Sequence, residues 1–269
     1  TLSLPFITDN TDNTNNNSSA SSEFSAYNFC NPGFVHEFQF INVKKDSELA
    51  YEFCPIPHFY QNLAEAEYVV AVYMYMCIQG YNPEKITILT TYNGQKALIK
   101  DIIKKKCAWN PIFKQPKKIT TVDRYQGQQN DYVLLSLVRT KFIGYLRDIR
   151  RLIVSLSRAK LGLYVFGYWE LFANCQELKD TFDLFSKKPL NLMININENM
   201  FTWPNLRRFG DEVIVNNDNS NNANSVVNKK YTVIKIADFK HMFNIINELM
   251  KIRSSYVIQG QGEQIAIKK

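Results

Sequence analysis

Arginines are spaced for phosphate binding in the segment from Arg147 to Lys160, which reads RDIRRLIVSLSRAK. Leu152 and Leu156 recur at the spacing of one helix face. Arg151, Ser155 and Arg158 recur at the same spacing on the opposite side. A guanidinium is planar and always charged, and it can grip two phosphate oxygens at once. The pattern predicts a helix over 147–160 that presents this stripe to phosphate, and a solvent-exposed basic face is the alternative.

A second polar element is the loop VDRYQGQQNDY, which spans residues 122–132 between two predicted strands. Gly127 permits close approach of the backbone, and Gln126 supplies both a donor and an acceptor. With Asp123 beside them, such a loop could orient a water molecule or sense a phosphate. An ordinary polar loop that contains a glycine has the same composition, so this loop alone decides nothing.

A third element is the segment ITILTTYNGQ, in which a short apolar strand leads into polar residues and then a helix. Hydroxyl groups, amide groups and the start of a helix are suited to phosphodiester contacts. The polar residues at this point are Thr90, Thr91, Tyr92 and Gln95. The alternative is a turn that only caps the following helix.

Apolar runs and helical periodicity alternate along the chain. Strands are predicted at 38–43, 86–90, 118–122, 132–138 and 162–167, and helices at 62–81, 95–107, 147–160 and from 169. Asn62 with Glu65 fits a capping box, and Gly80 marks the end of the first helix. This alternation predicts an α/β fold of three layers, a parallel sheet with helices on both faces. In such sheets ligands sit at the carboxyl ends of the strands.

Composition divides the chain further. Residues 9–22 and 216–228 are rich in Asn and Ser and cannot bury enough apolar surface to fold, so they are predicted to be mobile insertions. The predicted division is 1–23 as a strand remnant and insertion, 24–205 as the main domain, 206–230 as the second insertion, and 231–269 as a C-terminal strand and helix. We expect that last segment to pack on the domain or on a neighbour.

Charge favours a polyanionic partner. The net charge is +7. Residues 84–160 hold 17 Lys or Arg against 5 Asp or Glu, a local net charge of +12. A solvated lysine-rich surface is the alternative for the lysine run near 104–106. The longest apolar run, near 68–78, is too short to span a bilayer. The five cysteines and three histidines are scattered, so no metal site is predicted.

The order of the three elements carries a family resemblance. TTYNGQ, then VDRYQG, then RRLIVSLSRA resembles motifs IV, V and VI of superfamily 1 RNA helicases of the nonsense-mediated-decay type. Stretches such as FYQNLAEAEYVVAVYMYMCIQGY resemble the intron-binding spliceosomal members of that family, over about 24–199 and again from Tyr231. The resemblance implies the second of two RecA-like domains, a P-loop NTPase fold without the P-loop itself.

The resemblance assigns roles to single residues. Arg158 matches the arginine finger that reaches the γ-phosphate, and Gln126 is expected beside it as a second catalytic residue. The expected cofactor-binding residues are Asp123, Gly127, Gln129 and Arg151. The expected nucleic-acid-binding residues are Thr90, Thr91, Tyr92, Gln95 and Arg139.

Departures from the family pattern bear on catalysis. Gln129 stands where many relatives carry a glutamate that meets the ribose, and Leu63 stands where many carry a second arginine finger. Lys160 replaces the final arginine of motif VI. These changes suggest a slower or differently regulated ATPase. A catalytically silent helicase-fold scaffold that binds RNA and spliceosomal proteins is the alternative.

The resemblance also implies cofactors and partners. ATP and Mg²⁺ are expected only in a full-length enzyme, completed by an N-terminal RecA-like half, and none is expected to bind this chain alone. The expected partners are single-stranded intronic RNA and spliceosomal proteins in the nucleus, with no membrane.

Overall fold

The computed structural model describes residues 31–45, 48–198 and 233–266, apart from the side chains of 253–266. Both Asn/Ser-rich segments and all the predicted domain boundaries lie outside these residues. The division of the chain therefore stays a prediction.

Five strands form one sheet in which every neighbouring pair is parallel. They are β1 (Phe38–Asn42), β2 (Ile86–Thr90), β3 (Lys118–Thr121), β4 (Asn130–Ser136) and β5 (Ala159–Gly167). Their order across the sheet is β1-β5-β4-β2-β3. The predicted parallel sheet is confirmed, with strand limits that differ by at most three residues.

Helices cover both faces of this sheet. They are α1 (Leu63–Ile78), α2 (Asn93–Cys107), α3 (Ile149–Leu156), α4 (Trp169–Ala173), α5 (Lys179–Ser186) and α6 (Phe239–Ala266). Along β4, Leu134 packs into a core shared with α1, α2 and α6, whereas Val133 and Leu135 pack with α3, α4 and α5. Side chains alternate across a strand, so an apolar strand feeds two cores at once. The predicted three-layer α/β fold is confirmed.

The C-terminal segment packs on this domain. A short strand β6 (Met193–Asn195) pairs antiparallel with β7 (Val233–Lys235). Met242 and Ile246 of α6 are fully buried in the core that α1 shares. Helix α1 is therefore enclosed by the sheet, α2 and α6, which explains why 14 of its 16 residues are buried. Within the described part of the chain, no helix has the length and apolarity to span a membrane.

The arginine-rich helix is shorter than predicted. Helix α3 begins at Ile149, capped by the Asp148 side chain, and ends at Leu156. The backbone N–H of Asn130 donates to the carbonyl of Arg158 at 3.1 Å, so the pairing of β4 with β5 has already begun at Arg158. Ser155 is buried. The predicted helix to residue 160, with one exposed stripe of arginine and serine, is therefore wrong.

Helix α2 begins against the backbone of the segment that precedes α1. A Cβ atom placed on Gly94 would lie 2.6 Å from the carbonyl oxygen of Tyr60 and 2.8 Å from the carbonyl carbon of Phe59. Real Cβ atoms do not approach backbone this closely. The absent side chain therefore allows the two segments to touch.

Gly94→Ala is expected to lower the free energy of unfolding by about 1–3 kcal/mol, because the new methyl group overpacks this contact. Helix propensity alone would give the opposite sign, since alanine favours helices over glycine. Urea unfolding of both proteins measures the difference. Lys104→Ala, on the exposed side of the same helix, should be nearly neutral; equal or raised stability in Gly94→Ala would contradict the account.

Candidate functional site

The predicted site residues divide between two opposite edges of the sheet. The amino edge is where the strands begin, and the carboxyl edge is where they end. Helix α3 runs from the carboxyl edge back to the amino edge, since it follows β4 and precedes β5. It therefore carries Arg151 near one edge and is followed by Arg158 at the other.

At the amino edge, the guanidinium of Arg158 is held by three hydrogen bonds. Its Nε donates to the carbonyl of Val154 at 2.7 Å, its Nη2 to the hydroxyl of Ser157 at 2.8 Å, and its Nη1 to the carbonyl of Gln128 at 3.3 Å. The side chain is only partly buried. The end of α3 and the Gln-Gly loop thus fix the orientation of an accessible cation.

The Gln-Gly loop itself is exposed over residues 126–129. Gly127 has a φ of +74°, and a Cβ atom there would meet nothing within 4 Å. The glycine is therefore required by its left-handed backbone, and not by close packing against other protein atoms. Gln129 Nε2 lies 3.4 Å from the carbonyl of Ser157 and donates to it. The two motifs, some thirty residues apart in sequence, lie side by side.

Asp123 and Arg151 lie at the carboxyl edge, away from Arg158. The hydroxyl of Tyr145 donates to the Asp123 carboxylate, and the guanidinium of Arg151 lies 4.3 Å from the centre of the Tyr145 ring. Burial and the Asp123 carboxylate raise the pKa of Tyr145, so its hydroxyl keeps its proton and donates. The structure therefore places these two residues at the opposite edge from Gly127 and Gln129, the other two residues predicted to bind a cofactor.

Arg139 organises a group of aromatic rings at the carboxyl edge. Its Nε donates to Glu52 at 3.0 Å and its Nη1 to the hydroxyl of Tyr92 at 3.3 Å. Its guanidinium carbon lies 4.0 Å from the centre of the Tyr60 ring. Arg139 is only 7% exposed. In this conformation its guanidinium is positioned to orient the tyrosines, and its predicted contact with nucleic acid stays a prediction.

Tyr60, Tyr92 and Tyr145, here called the tyrosine cluster, are partly exposed and touch each other in series. The rings of Tyr60 and Tyr92 meet edge to face at 5.0 Å, and Tyr92 and Tyr145 lie 6.5 Å apart. The backbone N–H of Tyr145 also donates to the Tyr92 hydroxyl at 3.3 Å. Each ring is thus held at a defined angle beside a cation.

Three other predicted nucleic-acid residues are buried supports. Gln95 accepts from the backbone N–H of Asn62 at 2.7 Å and donates to the hydroxyl of Ser136 at 3.1 Å. Thr91 donates to the carbonyl of Leu137, and Thr90 is fully buried. Of the five residues predicted to meet nucleic acid, Tyr92 alone has an accessible side chain here.

Glu65 is a residue whose role the sequence reading missed. The predicted capping box is half right, because the Asn62 side chain accepts from the Glu65 N–H. The reciprocal bond is wrong, because Gln95 takes the Asn62 N–H. The Glu65 Oε2 instead accepts from the hydroxyl of Ser136 at 2.7 Å and from the N–H of Val138 at 2.8 Å. Burial raises the pKa of this carboxyl group to about 8, despite hydrogen bonds that lower it.

Exposed aromatic residues beside the tyrosine cluster were also missed. Tyr51 and Phe53 flank Glu52, whose carboxylate accepts from the N–H of Thr140 at 2.6 Å. Phe142 follows on the same segment and is 72% exposed. No sequence motif predicts these side chains; hydrogen bonds between Glu52 and Thr140 join the two segments that carry them.

A metal site has no support in the residues that the structure describes. No group of three or more His, Cys, Asp or Glu side chains lies close enough there to hold an ion. Cys54, Cys77, Cys107 and Cys175 are all free thiols.

A family model described as an AAA domain matches residues 9–170, more than half of the chain. The chain belongs to this family. The parallel sheet covered by helices on both faces agrees with a RecA-like helicase domain of that family.

Relatives of the chain include an RNA helicase, a pre-mRNA-splicing factor and an ATP-dependent helicase. The chain is 50% identical over 219 residues to RNA helicase aquarius of Mus musculus, covering 80% of this chain and 14% of that protein. It is 32% identical over 189 residues to pre-mRNA-splicing factor cwf11 of Schizosaccharomyces pombe, covering 69% and 14%. ATP-dependent helicase NAM7 of Saccharomyces cerevisiae is 40% identical over 91 residues, covering 33% and 9%.

The predicted resemblance to superfamily 1 RNA helicases, and among them to RNA helicase aquarius, is confirmed. The chain spans 14% of the length of each of the first two relatives. What those whole proteins do therefore reaches this chain only as a proposal.

Glu65→Gln is expected to flatten the dependence of stability on pH between about pH 4.5 and pH 8. The carboxyl group has a pKa of about 8 in the folded protein against 4.5 as its ordinary value, so the folded state binds more protons between these values. Stability should therefore fall as pH rises towards 8, and glutamine removes this contribution.

Thermal unfolding at pH 6, 7, 8 and 9 measures the effect. The native protein should lose about 5 °C or more of Tm beyond the loss in Glu65→Gln. Glu170→Gln, which removes an exposed carboxylate, should keep the native slope. Parallel curves for the native protein and Glu65→Gln would show that Glu65 is already charged at pH 6.

Proposed function

We propose that this chain is the second RecA-like motor domain of an ATP-dependent RNA helicase of the Aquarius type. In this proposal the full-length protein acts on intronic RNA within a nuclear spliceosome. The single observation that carries it is the accessible guanidinium of Arg158, held by hydrogen bonds against the exposed Gln-Gly loop. The 50% identity to RNA helicase aquarius supports the choice of helicase type.

The amino edge fits one half of an ATP site. Arg158 offers a fixed cation, and Gln126 and Gln129 offer exposed amide groups. The sequence has no Gly-x-x-x-x-Gly-Lys-Ser/Thr loop, so the other half must come from an N-terminal RecA-like half of the same protein. Bound ATP with Mg²⁺ would supply the phosphoryl group and the charge that balances it.

Arg158 would act on the charge that develops as the γ-phosphate is transferred. The bond from its Nε to the carbonyl of Val154 sets the plane of the guanidinium, while Nη1 and Nη2 can exchange their protein acceptors for phosphate oxygens. Gln126 would orient the attacking water, because an amide both donates and accepts. Gln129 would lie near the ribose, where it can donate a hydrogen bond that a glutamate could not.

The carboxyl edge fits single-stranded RNA. Rings held beside cations let successive bases stack without regard to sequence, and backbone phosphates are attracted by the basic charge of residues 84–160. Tyr60, Tyr92 and Tyr145 would offer the rings, and Arg151 would offer a cation at the end of the cluster. Buried residues behind the rings would support this surface: Thr90, Thr91, Gln95 and Arg139.

Helix α3 joins the two edges. Its eight residues span about 12 Å, and Arg151 and Arg158 lie near its opposite ends. A displacement of Arg158 by the nucleotide would therefore also move the tyrosine cluster, because the rigid helix α3 connects the two. Closure of the two RecA-like halves on ATP would shift this domain along the RNA.

A silent scaffold remains the second candidate, and two observations favour it. Leu63 occupies the position at which many relatives carry a second arginine finger, and Gln129 replaces a carboxylate. In that case the chain would retain RNA and spliceosomal proteins as partners without hydrolysing ATP. The division of the chain at residues 23, 205 and 230 belongs to either version of the proposal.

Arg158→Ala is expected to lower RNA-stimulated ATP hydrolysis by the full-length protein about a hundredfold or more, since an arginine finger contributes about 10³ to 10⁵ in rate. RNA affinity without nucleotide should change by less than about threefold, because the two edges are separate. Phosphate release and fluorescence anisotropy with a labelled single strand measure the two quantities.

Arg147→Ala is the matched control, because this guanidinium is 75% exposed and pairs only with Glu177 among the described contacts. It should hydrolyse ATP at the native rate. If the native protein does not hydrolyse ATP with RNA present, the result favours the silent-scaffold function. If native and Arg158→Ala proteins hydrolyse equally, the assignment of Arg158 is wrong.

A further inference from the structure

Val138 adopts a backbone conformation that its side chain disfavours. Its φ is +74°, and it is fully buried just beyond the end of β4. A β-branched residue in the left-handed region is a genuine outlier, since its Cβ substituents crowd the backbone. Such conformations persist only where surrounding contacts enforce them, and they cluster at functional sites.

The start of α1 enforces this conformation from both sides of the residue. The N–H of Val138 donates to Oε2 of Glu65 at 2.8 Å, and its carbonyl accepts from Nδ2 of Asn62 at 3.4 Å. The next N–H, that of Arg139, donates back to the carbonyl of Leu137 at 2.9 Å and tightens the turn. Glu65 makes the shorter of the two clamping bonds.

The turn at Val138 decides where the next side chain goes. Arg139 must reach Glu52, Tyr60 and Tyr92 at once, and the space for it is narrow. A Cβ atom on Gly144 would lie 2.9 Å from Nη1 of Arg139. Because the guanidinium packs against Gly144 and bonds to both Glu52 and Tyr92, a change in the backbone at Val138 would pull it away from these partners.

Stability alone does not account for this arrangement. The second carboxyl oxygen of Glu65, Oε1, is buried and has no hydrogen-bond partner. The same is true of the hydroxyl of Thr90, which faces Ser136 in the register of β2 and β4. Buried polar atoms without partners destabilise a fold. Glu65 therefore lowers the stability of the fold through its unpaired oxygen, and yet it holds a strained turn in place. This combination indicates a positioning role.

We propose that Glu65 is a positioning residue for the nucleic-acid surface. It holds Val138 in the left-handed conformation and thereby sets Arg139, which in turn fixes the angles of Tyr60 and Tyr92. The effect on RNA rests on the function proposed above, whereas the effect on the turn does not.

Four variants of the full-length protein test this assignment. Glu65→Ala removes the clamp and should weaken binding of a labelled single-stranded RNA about tenfold. Glu65→Gln keeps an oxygen that accepts from Ser136 and Val138, so its affinity should stay within about threefold of native. Val138→Gly should bind as the native protein does, because glycine adopts positive φ without strain.

The double variant Glu65→Ala with Val138→Gly separates positioning from general damage. Glycine lets the turn form without the clamp, so the double variant should recover most of the affinity lost in Glu65→Ala. A merely structural role of Glu65 would give a double variant at least as weak as the single one. Failure of recovery would therefore overturn the proposal.

Amide hydrogen exchange of residues 137–140 reads the turn directly and needs no RNA. Exchange should be faster in Glu65→Ala and native-like in Glu65→Gln; unchanged exchange in Glu65→Ala would overturn the proposal. If the native protein binds no RNA, the function proposed above fails while this readout still decides on Glu65. If Glu65→Ala does not fold, Glu65→Asp replaces it, since a shorter carboxylate cannot reach both Ser136 and Val138.

Discussion

The buried side chains of Glu65 and Gln95 tie the first turns of α1 and α2 to the end of β4. Gln95 bonds to the backbone of Asn62 and to Ser136, and Glu65 bonds to Ser136 and Val138. Three elements thus meet at one polar junction inside an apolar core. Hydrogen bonds inside a protein are strong, and the loss of one destabilises the fold. This junction therefore fixes the backbone at the carboxyl edge. The tyrosine cluster takes its shape from it.

The two edges of the sheet differ in kind. At the amino edge the polar groups are exposed, and Arg158 is held by acceptors that a phosphate could replace. At the carboxyl edge the cation Arg139 is buried with Glu52, and partly exposed aromatic rings lie beside the exposed Asp123 and Arg151. In the proposed function, the first edge would meet a nucleotide and the second a stacked single strand. One short helix, α3, connects the two edges and would link the two ligands.

Much of the fold could be predicted from the sequence because the strands are apolar runs and the helices are periodic. The sequence predicts a longer helix α3 than the structure has, because the helical spacing of its residues continues past Leu156. Pairing of Asn130 with Ala159 instead draws the next residues into a strand. That competition is tertiary and has no local signal. The family motifs predict Arg158 and the Gln-Gly loop as site residues, and in the structure the two are in contact.

The roles of buried polar residues were not predictable. Thr90, Gln95 and Arg139 are polar residues, and residue type alone does not tell whether a side chain faces solvent or contacts a distant part of the chain. Glu65 was read as half of a capping box because its spacing from Asn62 is correct. Gln95 occupies the partner position instead, from a distant part of the chain.

The most direct test of the central claim is to map where a nucleotide and an RNA touch the full-length protein. Photo-crosslinking with an azido-ATP and with a thiouridine-labelled single strand, followed by peptide mass spectrometry, gives both sites in one preparation. The account predicts nucleotide crosslinks within residues 126–129 and near Arg158, and RNA crosslinks at Tyr60, Tyr92 or Tyr145. Crosslinks of both probes to the same edge of the sheet would contradict it.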